Sequence, residues 1–145
     1  MSRKRCVVFG AGALGLGFLG PELAGEYDLT YVDIPEKETL LDHMSQAGWY
    51  IFNETGPASR PVRVSGVTGL KVNDGTAIQE AVGRADIVFT AVGEPNLHKL
   101  APTLAEAVLR RNEDDPLRVL CCENGLRIAQ KCRENVKNEL DEEPG

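Results

Sequence analysis

Five glycines occupy the stretch GAGALGLGFLG at positions 10–20. This stretch follows directly on RCVVFG at positions 5–10, a continuous apolar run typical of a strand buried on both faces of a parallel sheet. The pattern G-x-G-x-x-G formed by Gly10, Gly12 and Gly15 therefore lies where a buried strand turns into a helix. Because glycine makes up 15 of the 145 residues, the spacing is weak evidence alone and its context decides the interpretation.

Each of the three glycines has a physical task in a turn that binds a dinucleotide. Gly10 permits the tight turn out of the strand, Gly12 lets the backbone approach a pyrophosphate, and Gly15 lets the helix lie close to the sheet. The phosphates would meet free backbone N–H groups and the positive end of the helix dipole. The alternative is that these glycines serve only a close contact between helix and sheet.

The next strand, DLTYVDI at positions 28–34, ends in Asp33, about 20 residues after the turn, where an acid accepts hydrogen bonds from the adenosine ribose. Its charge would repel a 2′-phosphate, so the sequence favours NAD over NADP as cofactor. The neighbours Ile34, Pro35 and Glu36 offer no arginine for that phosphate, although Lys37 lies close by. The alternative for Asp33 is a solvated acid at a strand end.

Strands and helices alternate along the rest of the chain. Strands are predicted at 5–10, 28–34, 86–93 and 117–125, and helices at 35–48, 76–84, 95–111 and 126–140, with one short helix after the glycines. Positions 49–54 and 61–72 alternate like edge strands and are predicted to form a small β insertion. Mostly apolar strands alternating with helices predict an α/β fold, a doubly wound parallel sheet in a single domain spanning 1–145.

Small or turn-forming residues end two of the later strands, at the sheet edge where open α/β folds bind ligands. TAVG at 90–93 leaves room for a flat cofactor to pass over the backbone. ENG at 123–125 ends the last strand, and Asn124 there has two interpretations. It donates an amide hydrogen to a substrate oxygen near the nicotinamide, or it takes the left-handed turn conformation that Asn favours.

Composition excludes several partners. The net charge of −6, with no basic cluster beyond positions 3–5, argues against nucleic acid or an anionic membrane. The apolar runs fall short of the roughly 20 residues that cross a bilayer, and no signal peptide is recognised, so a cytoplasmic protein is expected. The four cysteines are spaced for neither a zinc site nor a disulfide framework, which predicts reduced thiols and no metal.

The segments FGAGALGLGFLG, YVD, VSGV, TAVG and PLRVLCCEN, in this order, make the chain resemble a known family over about positions 6–124. That family is the N-terminal, Rossmann-type NAD-binding domain of mannitol-1-phosphate 5-dehydrogenase and related polyol dehydrogenases. The resemblance implies that Asn124 lies by the nicotinamide and helps stabilise a substrate oxyanion. It also implies an NAD site made of Gly10, Ala11, Gly12, Ala13, Leu14, Gly15, Asp33, Ile34, Thr90, Ala91, Val92 and Gly93.

The resemblance implies hydride transfer between a polyol or polyol phosphate and NAD. The family's catalytic lysine lies in a helical C-terminal domain that this chain does not contain, so the isolated chain is expected to bind NAD and catalyse nothing. Two alternatives are a stand-alone NAD-binding module that reports cofactor level to a partner, and a different dehydrogenase such as a ketoacid reductase. The insertion at 49–72 and the C-E-N strand end count against the ketoacid reductase.

The chain departs from the family at three positions after the glycines. Ala13 stands where the family usually has a polar residue, and Leu16 replaces an arginine, which removes a cation for a sugar phosphate. Pro21 falls where the family's helix continues. We expect Gly17 to allow close packing against the sheet or another domain, and Gly20 with Pro21 to kink or restart the helix.

Overall fold

The structure, a computed structural model, describes residues 3–142; the ends of the predicted domain, at 1–2 and 143–145, lie outside this range. Its strands are β1 (Lys4–Phe9), β2 (Tyr27–Asp33), β3 (Trp49–Asn53), β4 (Pro61–Ser65), β5 (Val67–Lys71), β6 (Ile87–Thr90) and β7 (Val119–Cys121). Five of them form one parallel sheet in the order β5, β2, β1, β6, β7, while β3 and β4 pair as an antiparallel hairpin. The strand order reverses between β1 and β6, which opens a crevice at their carboxyl ends.

The helices connect the parallel strands. A π-helical stretch (Gly15–Leu19) runs into α1 (Gly20–Leu23), and a 3-10 turn (Pro35–Lys37) leads into α2 (Glu38–Ala47). They are followed by α3 (Gly75–Arg84), a 3-10 stretch (Glu94–Leu100) continuing as α4 (Ala101–Arg110), and α5 (Ile128–Glu142). The helix predicted at 35–48 ends as expected, because Gly48 adopts a left-handed conformation with φ of 79° and its N–H bonds to the Met44 carbonyl.

Two hydrophobic cores lie on opposite faces of the sheet. In β1, Val7 and Phe9 point to the core covered by α3, α4 and α5, whereas Cys6 and Val8 point to the other core. The second core is covered by the helical stretch 15–23, α2 and the β3–β4 hairpin. Helices on both faces of a parallel sheet confirm the predicted doubly wound α/β class.

The predicted β insertion is smaller than expected. Positions 61–72 are two strands separated by Gly66: β4 belongs to the hairpin, but β5 pairs with β2 in the main sheet, in register from Leu29 with Val67 to Asp33 with Lys71. Apolar and polar residues alternate in β5 because it is an edge strand of the sheet, with a partly exposed face. The insertion is therefore the hairpin alone.

The last strand also differs from the prediction of a buried strand at 117–125. β7 has three residues and is half-exposed, with Leu120 at 51%. Among the described residues it pairs with β6 alone, and beside it lies a cleft of about 540 Å³ between α4 and α5. Its apolar composition resembles that of a buried strand, but nothing in the described part of the chain covers its outer side.

Candidate functional site

The first and third glycines are required by the fold itself. Gly10 has a φ of 114°, and a Cβ there would collide with the backbone of Ala91 at the end of β6. A Cβ on Gly15 would collide with the Gly10 carbonyl. These contacts bring residues 10–15, which we name the glycine loop, against the carboxyl ends of β1 and β6.

Gly12 is different because nothing in the protein requires it to be glycine. Its φ is not positive, and a Cβ would meet only Lys37 Nζ, at 4.0 Å. Within the described part of the chain its N–H has no acceptor. Gly12 thus offers a free donor beside open space at the crevice of the sheet.

Asp33 lies next to the glycine loop, as its spacing predicts. Its Oδ2 accepts a hydrogen bond from the Ala11 N–H at 2.7 Å, and its Oδ1 accepts one from the Ile34 N–H at 2.7 Å. The side chain remains 16% exposed. A carboxylate has about four lone-pair sites, so both oxygens keep the capacity to accept further hydrogen bonds from a ligand.

Lys37 belongs to the same cluster, although sequence analysis left it unassigned. Its Nζ donates to the Ala11 carbonyl at 2.8 Å and lies 3.4 Å from Asp33 Oδ2. The ammonium group therefore partly neutralises Asp33 and holds the glycine loop. Its position four residues after Asp33, on the turn leading into α2, is the sequence signal that could have identified it.

Two exposed apolar side chains flank Asp33. Ile34 and Val72 are each 47% exposed, and the Val72 N–H donates to the Asp33 carbonyl at 2.9 Å. Ile34 was predicted as a site residue, and Val72 was missed because β5 was assigned to the insertion. Ala13 and Leu14, on the outer side of the glycine loop, are also exposed, whereas Ala11 is buried.

The helix after the glycine loop is shaped by the hairpin. Side chains of Phe52 and Tyr50 fill the space where Cβ atoms of Gly17 and Gly20 would lie, so both glycines allow close packing. The segment is π-helical up to Leu19, and α1 begins at Gly20 with a proline in its first turn. The backbone stays helical over 13–23, so Gly20 and Pro21 mark a change from π to α geometry and not the expected kink or restart. Gly17 packs against the hairpin and not against the main sheet or another domain.

Pro21 removes the donor that a π-helix would supply to the Leu16 carbonyl. The Tyr50 hydroxyl replaces that donor, with a hydrogen bond of 2.6 Å to the Leu16 carbonyl. The Tyr31 hydroxyl donates to the Gly15 carbonyl at 2.7 Å and lies 2.9 Å from the Tyr50 hydroxyl. Burial raises the pKa of both phenols, so both remain neutral donors.

The second loop of the site, TAVG at 90–93, follows β6. Thr90 is fully buried, so its side chain faces the core. Its carbonyl accepts a hydrogen bond from the Cys122 N–H at 2.8 Å. Ala91 is half-buried against Gly10, and its N–H donates to the Phe9 carbonyl at 2.7 Å. Val92 and Gly93 form the open end of the loop, which we call the TAVG loop.

A carboxylate from the end of β7 holds the TAVG loop. Glu123 Oε2 accepts from the Val92 N–H at 3.1 Å, and Oε1 accepts from the Gly93 N–H at 3.0 Å. Sequence analysis assigned Glu123 no role. The adjacent Asn124 is exposed and does not have the left-handed conformation, which Arg127 adopts with a φ of 54°. The turn conformation offered as the alternative for Asn124 is therefore wrong.

The cysteines lie mostly outside this site. All four are free thiols, and burial raises the pKa of Cys6 to about 12. Cys121, at the end of β7, has its pKa lowered to about 7, chiefly by a hydrogen bond with Cys132 on α5. The pKa of Cys132 is raised by the same hydrogen bond and by burial. Cys121 and Cys132 line the apolar cleft beside β7, away from the glycine loop.

Neither histidine joins the site. His43 packs edge-on against Trp49, with ring centroids 4.7 Å apart, and His98 is exposed on the 3-10 stretch before α4. Residues 3–142 contain no group of three or more His, Cys, Asp or Glu side chains placed to hold a metal ion. Within the same range, no helix has the length and apolarity to cross a bilayer.

Comparison with known proteins identifies relatives of this chain. Residues 4–144 match the family model of the mannitol dehydrogenase Rossmann domain. The mannitol-1-phosphate 5-dehydrogenase of Shouchella clausii (strain KSM-K16) is 34% identical over 142 residues, which cover 96% of this chain and 37% of that protein. The enzyme of the same name from Lacticaseibacillus casei (strain BL23) is 33% identical over 141 residues, covering 94% and 36%.

A solved structure shares the fold. A Rossmann-fold NAD(P)-binding family protein from Shigella flexneri aligns with a TM-score of 0.50 and 14% identity, over 96% of this chain and 64% of that one. The chain spans little more than a third of the length of the curated relatives it matches.

Proposed function

Because this chain belongs to the mannitol dehydrogenase Rossmann-domain family, we propose that it binds NAD across the carboxyl ends of β2, β1 and β6. In this proposal, Asp33 and Ile34 contact the adenosine ribose. The glycine loop holds the diphosphate, and the TAVG loop lies under the nicotinamide half. The protein would thereby act as the cofactor domain of a polyol dehydrogenase.

The observation that carries this proposal is the open space at Gly12. Gly10 and Gly15 meet the protein's own backbone, which is sufficient reason for glycine at both positions. At Gly12 the protein leaves room for a side chain and a backbone N–H without an acceptor. A diphosphate that approaches the backbone at this point would explain both features.

Asp33 supports NAD over NADP as the cofactor. Its partly exposed carboxylate would accept hydrogen bonds from the ribose hydroxyls and repel a phosphate on the 2′ oxygen. Lys37 reduces this repulsion, because its ammonium lies 3.4 Å from Asp33 Oδ2. The preference for NAD is therefore expected to be moderate rather than absolute.

We propose that the complete enzyme transfers hydride between a polyol or polyol phosphate and NAD. NAD supplies the hydride acceptor when bound. This chain would orient the cofactor, and Asn124 at the end of β7 would donate a hydrogen bond to the substrate oxygen. The proton-accepting lysine would come from a C-terminal domain, so we expect this chain alone to bind NAD without turning over a polyol.

The alternative of a stand-alone NAD sensor is less well supported. The relatives that match 94–96% of this chain are dehydrogenases by name, and the match extends through the end of β7, where Asn124 lies. A sensor would need the cofactor loops but no residue facing the reacting carbon. The names of the relatives therefore favour an oxidoreductase domain, in which the proposed donor Asn124 would have a use.

The experiment that tests this function compares two glycine-to-valine variants by calorimetric titration with NADH. Gly12→Val should lower NADH affinity by more than about tenfold, because the side chain fills the space proposed for the diphosphate. Gly83→Val is the matched control, since a Cβ at Gly83 meets nothing within 4 Å and Gly83 lies near the end of α3, which leads into the amino end of β6 and not into its carboxyl end. Normal binding by Gly12→Val would refute the glycine-loop assignment.

A further inference from the structure

We propose that Glu123 is a positioning residue that sets the TAVG loop for the nicotinamide half of the cofactor. This inference rests on the proposed function, in which Glu123 has no part. Two hydrogen bonds, the place of Glu123 in the sheet and its charge support this role.

Both carboxylate oxygens of Glu123 accept hydrogen bonds from the TAVG loop. Glu123 Oε1 accepts from the Gly93 N–H at 3.0 Å and Oε2 accepts from the Val92 N–H at 3.1 Å. An ionised carboxylate only accepts hydrogen bonds, and bonds to a charged acceptor are roughly twice as strong as neutral ones. Gly93 has a φ of 90°, a conformation that glycine adopts readily. Glu123 therefore fixes two consecutive peptides of the TAVG loop.

The charge of Glu123 also determines where a phosphate can bind. The N–H groups of Val92 and Gly93 immediately precede the helical segment that runs from Glu94 through α4, and such groups ordinarily attract anions. Glu123 occupies both donors and adds a negative charge beside them. A phosphate is thereby disfavoured at the TAVG loop, and the free N–H of Gly12 remains available at the glycine loop.

The order of the strands places Glu123 on the nicotinamide side. Asp33 ends β2, the glycine loop follows β1, the TAVG loop follows β6, and Glu123 follows β7. A dinucleotide with its adenosine ribose at Asp33 and its diphosphate at Gly12 directs its other half toward β6 and β7. Loss of Glu123 should therefore affect NADH more than ADP, which lacks that half.

The test is a Glu123→Gln variant of this chain, titrated separately with NADH and ADP. Glutamine keeps the shape of the side chain but offers one acceptor and one NH₂ group, which leaves a loop N–H facing another donor. We expect the affinity for NADH to fall by about tenfold and that for ADP to stay within about twofold. Amide hydrogen exchange at Val92 and Gly93 should become faster in the same variant.

Glu94→Gln is the matched control, because Glu94 follows the TAVG loop directly but forms an exposed ion pair with Lys131 and accepts nothing from the loop. It should leave the affinities for both ligands unchanged. Equal losses for NADH and ADP in Glu123→Gln, accompanied by a lower melting temperature, would reduce Glu123 to a structural role and overturn the proposal. Unchanged NADH affinity or unchanged exchange would also overturn it. A wild-type chain that binds neither ligand would instead reject the proposed function.

Discussion

At the scale of single residues, Asp33 and Lys37 hold the two backbone polar groups of Ala11. Asp33 accepts from the Ala11 N–H and Lys37 donates to the Ala11 carbonyl, while the two side chains form an ion pair with each other. The cluster thus combines a carboxylate suited to ribose hydroxyls with a cation suited to a phosphate. The balance of these two charges should determine how strongly the site discriminates between NAD and NADP.

Removing the negative charge of Asp33 and removing the positive charge of Lys37 should shift the preference between NAD and NADP in opposite directions. Asp33→Ala should weaken NADH binding and improve NADPH relative to NADH by about tenfold, because the repulsion of the 2′-phosphate is removed. Lys37→Met should weaken NADPH relative to NADH, because the carboxylate of Asp33 is no longer partly neutralised. Calorimetric titration of both variants with both cofactors measures these ratios.

Asp42→Ala provides the control for charge, since Asp42 is half-exposed on α2 and pairs with Lys71 on β5. Asp42→Ala should leave the affinity for NADPH relative to NADH unchanged. Unaltered affinity of Asp33→Ala for both cofactors would reject Asp33 as a ribose ligand.

Sequence reasoning predicted that Asp33 and the three glycines lie together, because their spacing along the chain is itself the signal. It could not identify Glu123, whose partners Val92 and Gly93 are 31 and 30 residues away and are backbone groups. Lys37 donates to the backbone of a residue 26 positions earlier, so its role also depended on how β1 and β2 pair. The contacts of Glu123 and Lys37 with a distant backbone leave no pattern in the sequence, whereas the ion pair of Lys37 with Asp33 does, through their four-residue spacing.

At the scale of elements, the π-helical stretch Gly15–Leu19 and the β3–β4 hairpin depend on each other. The two small residues Gly17 and Gly20 admit Phe52 and Tyr50, and the Tyr50 hydroxyl satisfies the Leu16 carbonyl that Pro21 leaves without a backbone donor. An isolated helix with this sequence would be weak, since each interior glycine costs about 1 kcal/mol relative to alanine. The hairpin therefore stabilises the helix that follows the glycine loop.

Tyr50→Phe should lower the free energy of unfolding by about 1 to 2 kcal/mol, because it leaves the Leu16 carbonyl without its donor. Chemical denaturation followed by circular dichroism measures the change. Tyr27→Phe is the control, because no hydrogen bond of the Tyr27 hydroxyl is found within residues 3–142. Equal stability of Tyr50→Phe and wild type would show that the hairpin does not support the helix through this hydroxyl.

The order of strands and helices along the chain was predictable because buried strands and amphipathic helices have distinct patterns. The assignment of β5 to the insertion was wrong because an edge strand of a sheet and a strand of a hairpin alternate alike. Gly66, where the chain leaves the hairpin and enters the sheet, has a φ of 75° and its carbonyl accepts from the Leu29 N–H at 2.9 Å. Only the pairing of β5 with β2 shows that β5 belongs to the main sheet, whereas β4 belongs to the hairpin.

At the scale of the whole molecule, the sheet arranges the candidate residues in one line along its carboxyl edge. Asp33, the glycine loop, the TAVG loop and Glu123 follow four strands that lie side by side in the order β2, β1, β6, β7. The cleft of about 540 Å³ lies elsewhere, between α4, β7 and α5, and its lining is mostly apolar. The molecule thus has two different candidate surfaces for a ligand, the carboxyl edge of the sheet and the apolar cleft beside β7.

Cofactor binding at the glycine loop is tested most directly by the nuclear magnetic resonance spectrum of the isotope-labelled chain during titration with NAD. We predict that the amide signals that move most belong to residues 10–15, 33–34 and 90–93, with Gly12 among them. The signals of Cys132 and Val136, which line the cleft between α4 and α5, should stay in place. Movement concentrated in that cleft, or no movement at saturating NAD, would contradict the proposal that this chain binds the cofactor at its glycine loop.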